Sequence, residues 1–167
     1  MKKNNSDRGF HSIEALIIIL VLMPIILATV DFILYAYKSI ATATICTSVT
    51  RMVGIQGGVL NKAPAGFPGG DNGYMDKGEL EEYLTKRMAA IGEDNWKLKI
   101  DGKVYSPSSA QATKQYDFLE DINVTLSTKY DFPFISSFLP GDQTVNITCP
   151  RATISEWKYN YDEWIGE

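Results

Sequence analysis

The hydrophobic pattern divides the chain into two contrasting parts. Between Ala15 and Val30 there is no charged residue, and Pro24 and Thr29 are the only interruptions of aliphatic or small apolar side chains. The remainder of the chain mixes apolar residues with many charged and polar ones. Because a helix needs about 20 apolar residues to cross a bilayer, the pattern predicts a transmembrane anchor helix over residues 10–37.

Two acidic residues bracket this apolar run. Glu14 and Asp31 are seventeen residues apart, which corresponds to about 26 Å along a helix and is close to the thickness of the hydrocarbon core, about 30 Å. Three basic residues precede the run, namely Lys2, Lys3 and Arg8. The positive-inside rule therefore predicts a single-pass membrane protein with a cytoplasmic N-terminus and an extracytoplasmic C-terminal part.

Apolar residues continue at helical spacing beyond the anchor, so an amphipathic stalk helix is predicted over residues 38–58. Gly54 or the pair Gly57 and Gly58 is expected to end it. Its predicted buried stripe consists of Tyr37, Ile40, Ala41, Ile45, Val49, Met52 and Val53. Within the anchor itself, Pro24 removes one backbone hydrogen bond and is expected, with Asp31, to tune the geometry of the span.

The remaining residues, 59–167, are predicted to form an extracytoplasmic head. Residues 61–73 contain many glycines, prolines and asparagines and indicate a loop. Asp76, followed by Glu79, has the spacing of a capping box at the start of a helix, and Gly92 is expected to stop that helix. A calcium loop running from Asp71 to Glu82 is an alternative, but the ligand spacing departs from the calcium-binding pattern at several positions.

Alternating apolar and polar residues in the head predict strands. One covers Trp96 to Ile100, and Asp101 with Gly102 forms a two-residue hairpin turn that leads into a return strand. A longer alternation from Ile122 to Phe132 and a further strand from Val145 to Cys149 follow, and Pro150 indicates an edge or a bulge. The predicted fold class is therefore α+β: a long N-terminal transmembrane and stalk helix, one additional helix and a small antiparallel β-sheet head.

Composition excludes several classes of function. The net charge is −4 and the basic residues are scattered, whereas nucleic-acid binding needs a concentrated cationic face. The one histidine, His11, precedes the apolar run, and no nucleophile elbow, phosphate-binding loop or metal-ligand spacing occurs. We therefore expect no cofactor, no metal and no catalytic activity.

The two cysteines, Cys46 and Cys149, are too few for a disulfide scaffold or a four-cysteine zinc site. In an oxidising compartment they could pair and close a loop of about a hundred residues, which chain-entropy models value at about 4–5 kcal/mol. Two unpaired buried thiols are the alternative. The sequence leaves both open.

The start of the apolar run carries a recognisable motif. A short basic leader ends in Gly9, Phe10 follows, Glu14 comes five residues after the glycine, and the hydrophobic helix comes next. This arrangement resembles a type IV prepilin signal. The resemblance implies that a prepilin peptidase cuts between Gly9 and Phe10 on the cytoplasmic side and methylates the new N-terminus, so that residues 1–9 are removed and the hydrophobic helix is kept.

The rest of the anchor narrows the resemblance to the TadE-like minor pilins and pseudopilins of tight-adherence systems. The matching positions are Pro24, Asp31, Phe32, Tyr35, Tyr37, Ala41, Arg51 and Gly54. Threonines replace much of the alanine, glutamine and asparagine that this family has at 41–50, which weakens the match in the stalk. The resemblance implies a structural subunit of a surface filament or secretion pseudopilus, with the peptidase, other pilins, an assembly platform with its motor ATPase and membrane lipid as partners.

Under this interpretation Glu14 has a physical role. A carboxylate drawn into a membrane costs about 2.5–3.5 kcal/mol on insertion scales. Cleavage creates a cationic amine on Phe10, one helical turn away, and an equivalent amine on each neighbouring subunit. A contact between Glu14 and such an amine relieves both charges and can set the axial register of subunits.

Two other hypotheses remain. A permanently anchored extracellular binding module would keep its N-terminus uncut, with an aromatic tail (Trp157, Tyr159, Tyr161 and Trp164) either holding a ligand or sealing a small core. A secreted enzyme released by signal peptidase after Ala41, Thr42 and Ala43 would begin near Thr44. The chemical nature of the N-terminus distinguishes all three hypotheses.

Overall fold

The computed structural model describes residues 6–107, 109–138 and 140–158, with side chains from Ser12 onwards. This part of the chain contains α1 (Ser6–Gln56), α2 (Lys77–Ala89), β1 (Trp96–Ile100), β2 (Lys103–Tyr105), β3 (Asp121–Asp131) and β4 (Thr144–Ile154). The strands form one small antiparallel sheet in the order β2-β1-β3-β4. The predicted α+β class is thus confirmed: a long N-terminal apolar helix, one further helix and a small sheet, which is a pilin-like layout of elements.

The chain divides into two compact units. The first contains the chain up to Tyr37 together with Tyr130–Val145, and the second contains Lys38–Lys129 together with the chain from Asn146 onwards. The first half of α1 and the segment after β3 therefore belong to one unit. The second half of α1, α2 and most of the sheet belong to the other.

Helix α1 starts at Ser6, earlier than the anchor predicted from Phe10, and it ends at the predicted glycine pair. Gly57 has a φ of 64°, a left-handed conformation that costs glycine little. The N–H of Gly58 donates to Val53 O at 3.0 Å and that of Gly57 to Gly54 O at 3.3 Å. These two bonds form a Schellman motif and satisfy carbonyls at the helix end.

The buried face of the stalk differs from the predicted stripe at its N-terminal end. Tyr37 is 59% exposed and Ile40 is 68% exposed, so the prediction was wrong at these positions. Ile45, Val49 and Val53 are buried as predicted, and the other buried stalk side chains are those of Thr42, Cys46, Thr50 and Gln56. The hydroxyl of Thr50 donates to Cys46 O at 2.7 Å, four residues back, and this bond allows a polar side chain to lie in the core.

Helix α2 confirms the predicted capping box. The Asp76 carboxylate accepts hydrogen bonds from the backbone N–H groups of Gly78 and Glu79, and the Glu79 side chain accepts from the N–H of Asp76. Leu80, Leu84 and Met88 form its buried face. The predicted capped helix is therefore the structure adopted by this segment.

The sheet follows the predicted alternation. Buried residues of β1 and β3 face each other in register, with Leu98 opposite Leu126 and Ile100 opposite Val124. β1 pairs with β2 across the Asp101 and Gly102 turn. Pro150 lies inside β4, which is an edge strand, so the prediction of an edge is confirmed.

The stalk half of α1 approaches β4 closely at Gly54. A Cβ atom on this glycine would lie 2.7 Å from Thr153 Oγ1 and 3.0 Å from the carbonyl oxygen of Ile154. The N–H of Glu156 donates to Gly54 O at 2.8 Å. Residue 54 must therefore be glycine for helix and strand to remain this close.

Candidate functional site

The first half of α1 presents an apolar surface to its surroundings. From Ile13 to Ile26 every large apolar side chain is at least half exposed. The most apolar 18-residue stretch of the helix has a mean hydropathy of 2.8, and only 6% of that stretch is buried. A core helix of a water-soluble protein would be mostly buried, so this helix is long, apolar and exposed enough to cross a membrane.

The predicted processing and assembly residues lie at the start of this helix. Gly9 and Phe10 belong to the helical part of α1, but their side chains are outside the described residues. Glu14 is exposed and borders a shallow groove with Ile13, Ile17 and Ile18. Because residues four apart lie on the same face of a helix, positions 10 and 14 are adjacent on one side of α1.

Asp31 lies in a protein environment despite its place at the end of the apolar run. Its side chain is fully buried, and its carboxylate accepts hydrogen bonds from the N–H of Ile135 at 2.6 Å and from the N–H of Phe134 at 3.0 Å. The hydroxyl of Tyr130 donates to the backbone carbonyl of Asp31 at 3.2 Å. Asp31 thus fastens the segment after β3 to α1, a contact that the sequence alone does not reveal.

Aromatic rings surround this contact. The centroids of Tyr35 and Phe132 are 5.9 Å apart in a stacked arrangement, and Tyr130 lies 5.7 Å from Tyr35 and 4.9 Å from Phe132. Such contacts each add about 0.5–1.5 kcal/mol beyond the burial of area. The cluster holds the segment after β3 in place together with the carboxylate of Asp31.

Pro24 lies one-third of the way along α1, inside the helix.

An ion pair ties the stalk to the head within the second unit. Lys38 Nζ lies 2.5 Å from Glu93 Oε1, and the other carboxylate oxygen of Glu93 accepts from the hydroxyl of Thr128 at 2.8 Å. Glu93 is 6% exposed. Because both Glu93 oxygens have partners, the buried charge is compensated.

The two cysteines lie next to each other. Both are buried free thiols, and the Cys46 S–H donates to the backbone carbonyl of Cys149 at 3.1 Å. Burial raises the pKa of the Cys149 thiol, the neighbouring Cys46 raises it further, and Arg151 opposes the rise. A disulfide between them stays a prediction.

An open groove of about 520 Å³ in the head is lined by residues of β1, β3 and β4 and of the segment after β2. Its lining is mixed, with Trp96, Lys97, Ser127, Thr128 and Asn146 among its residues.

The described part of the chain holds no cluster of three or more metal-ligating side chains. Asp71, first in the alternative calcium loop, accepts a hydrogen bond from the N–H of Ala63.

The aromatic tail is described only as far as residue 158. The Trp157 ring lies 4.9 Å from the ring of Phe67 and so packs against the loop after the stalk. Trp157 therefore contributes to sealing that side of the head. Tyr159, Tyr161 and Trp164 lie outside the described residues.

The chain matches no protein-family model, and comparisons with curated proteins and with solved structures find no similar protein.

Proposed function

We propose that this protein is a minor pilin or pseudopilin, a structural subunit of a type IV or tight-adherence pilus or of a related secretion filament. Three features support the proposal: the glycine and phenylalanine that precede Glu14, the exposed apolar first half of α1, and a small α+β head. The protein acts as a substrate of prepilin peptidase, not as an enzyme. Its membrane precursor has a cytoplasmic leader and an extracytoplasmic head.

Assembly runs through the N-terminal helix. Removal of residues 1–9 leaves a positive amine on Phe10, on the same face of α1 as Glu14. In a bundle of such helices, Glu14 of one subunit contacts the amine of a neighbour, and the low dielectric strengthens that contact. The exposed apolar side chains around it pack against other subunits after they leave the lipid. The assembly platform and its motor ATPase supply the energy that extracts the subunit from the membrane.

The single observation that carries the proposal is the spacing from Gly9 to Glu14 at the mouth of an exposed apolar helix. The test is the intact mass of the protein isolated from membranes or filaments of the native host. We expect a chain that begins at N-methylated Phe10. A chain that begins at Met1 would favour the permanently anchored binding module, and one that begins near Thr44 would favour the secreted enzyme.

The anchored binding module is the second candidate, because the groove beside β1 and β3 is large enough for a small polar ligand. The polar and charged side chains in its mixed lining, such as Lys97, Ser127 and Asn146, suit a sugar or a peptide. In this case the leader would persist and the groove would bind its ligand without any filament. The same mass measurement separates this candidate from the pilin.

A further inference from the structure

The segment that follows β3 forms a tight turn against α1, here named the aromatic loop (residues 132–138). Its middle is a short 3-10 turn, Ile135–Ser137. The Asp31 carboxylate holds the loop by accepting hydrogen bonds from the N–H groups of Phe134 and Ile135. The loop, Asp31 and the first half of α1 all belong to the same compact unit.

The aromatic loop exposes apolar side chains. Phe138 is 54% exposed and Phe134 is 38% exposed. Next to Asp31 on α1, Phe32 is 68% exposed and Ile33 is 61% exposed. The apolar surface of the anchor is therefore extended by the residues that flank the Asp31 contact.

Every backbone N–H group from Phe134 to Phe138 donates a hydrogen bond within the protein, so none of them requires water. The first two donate to Asp31, and the next three donate to backbone carbonyls: Ser136 to Phe132 at 3.1 Å, Ser137 to Phe134 at 3.2 Å and Phe138 to Ile135 at 2.9 Å. The hydroxyls of Ser136 and Ser137 both donate to Pro133 O. Irregular backbone can approach lipid only where its polar groups are satisfied by protein.

The level of the loop along α1 follows from its attachment to Asp31. Asp31 is the first charged residue after Glu14, and the two are about 26 Å apart along the helix. If Glu14 lies at one boundary of the hydrocarbon core, Asp31 lies at the other. Aromatic side chains are enriched at that boundary in membrane proteins.

We propose that the aromatic loop inserts Phe134 and Phe138 into the outer boundary between headgroups and acyl chains, and so forms a second membrane contact beside the anchor helix. The occupant of this apolar surface is lipid, because the loop continues the apolar surface of the anchor and presents satisfied backbone donors. This inference rests on the proposed membrane anchoring of α1. It adds that residues 132–138 contact lipid while the subunit is still unassembled.

The test uses the full-length protein in lipid nanodiscs with bromine-labelled phosphatidylcholine. Phe138→Trp places a fluorophore on the loop, and Phe134→Trp provides a second reporter. Phe118→Trp is the matched control, because Phe118 is another exposed phenylalanine (47%) to which the proposal assigns no lipid contact. Ile18→Trp reports on the anchor. The emission of the unsubstituted protein, which has three tryptophans, is subtracted.

We expect bromines near the headgroups to cause a loss of emission for Phe138→Trp and Phe134→Trp, but not for Phe118→Trp. Bromines on the upper part of the acyl chains should quench Ile18→Trp, because Ile18 lies about 6 Å along the helix from Glu14. Quenching of Ile18→Trp without quenching of either loop reporter would overturn the loop proposal and leave the anchor intact. Absence of quenching at Ile18→Trp and at both loop reporters would overturn the loop proposal and the membrane anchoring of α1. If the emission of the loop reporters changes with the number of chains per nanodisc and not with the bromine label, the surface binds a second copy of the chain. This result would overturn the lipid contact.

Discussion

The thiol of Cys46 on α1 donates a hydrogen bond to the backbone carbonyl of Cys149 on β4 at 3.1 Å. The two residues are 103 positions apart in the chain, yet the fold places them side by side in the core of the second unit. The sequence left open whether the cysteines pair. Their adjacency makes a covalent bond between stalk and edge strand a direct expectation in an oxidising compartment.

We predict that mild oxidation of the folded protein closes a disulfide between Cys46 and Cys149. The bond would close a loop of about a hundred residues and stabilise the protein by about 4–5 kcal/mol on the chain-entropy model. Mass spectrometry of alkylated protein under non-reducing conditions detects the pair, and Cys149→Ser is the control. If both thiols of the oxidised protein can still be alkylated once it is unfolded, the prediction is wrong.

We predict that Glu14→Ala abolishes incorporation into filaments while membrane insertion and cleavage continue. The substitution removes the carboxylate to which the proposed function assigns the contact with a neighbour's amine, and the helix remains fully apolar at this position. The fraction of protein in sheared filaments, compared with the membrane fraction, measures the effect. Glu82→Ala, which removes an exposed carboxylate from α2 in the head, is the control and should incorporate. Normal incorporation of Glu14→Ala would refute the assembly contact.

We predict that Asp31→Ala releases the aromatic loop. A hydrogen bond to a charged group contributes about 1.5–3 kcal/mol, so exchange of the Phe134 and Ile135 amide hydrogens should accelerate by about tenfold or more. Hydrogen exchange followed by mass spectrometry on full-length protein in detergent measures this change. Asp131→Ala, at an exposed position in β3, should leave these amides unchanged. Equal exchange in both variants would show that Asp31 does not hold the loop.

We predict a loss of stability at alkaline pH from buried tyrosines. Burial raises the pKa of Tyr74 to about 12, and it also raises the pKa values of Tyr105 and Tyr116. The unfolded chain releases these protons near pH 10, so the stabilisation is complete below that pH and is lost as pH rises towards 12.

Thermal unfolding in detergent at a series of pH values tests this expectation. Tyr74→Phe should weaken the pH dependence above pH 10, although it also removes a phenol oxygen that accepts the Leu60 N–H at 2.7 Å. Tyr37→Phe, at a position that is 59% exposed, controls for the loss of one phenol. An unfolding midpoint that stays constant from neutral pH to pH 12 would contradict the prediction.

The elements that depend on local chemistry could be predicted from the sequence. The capping box at Asp76 and the hairpin turn at Asp101 involve residues a few positions apart, and the alternation in β3 reports directly on its buried face. The edge position of β4 agrees with Pro150, because proline has no N–H to donate to a second neighbouring strand.

Contacts between distant segments could not be predicted in the same way. The apolar pattern placed Tyr37 and Ile40 on the buried side of the stalk, but the packed face contains Thr42 and Thr50 instead. The hydroxyl of Thr50 donates to the Cys46 carbonyl one turn back, so a polar side chain lies on this face and the polarity pattern of the sequence does not identify it. The sequence assigns Asp31 to the boundary and the geometry of the span, because nothing near it in sequence indicates that residues 134 and 135 would bind it.

The absence of a side chain at position 54 has a mechanical consequence. With Gly54 seated against Thr153 and the Ile154 carbonyl, neighbouring positions of α1 carry side chains that cannot occupy the same space. The stalk is therefore unable to slide past the edge strand by one residue in either direction. Stalk and edge strand can therefore be displaced only together, as one rigid piece of the second unit.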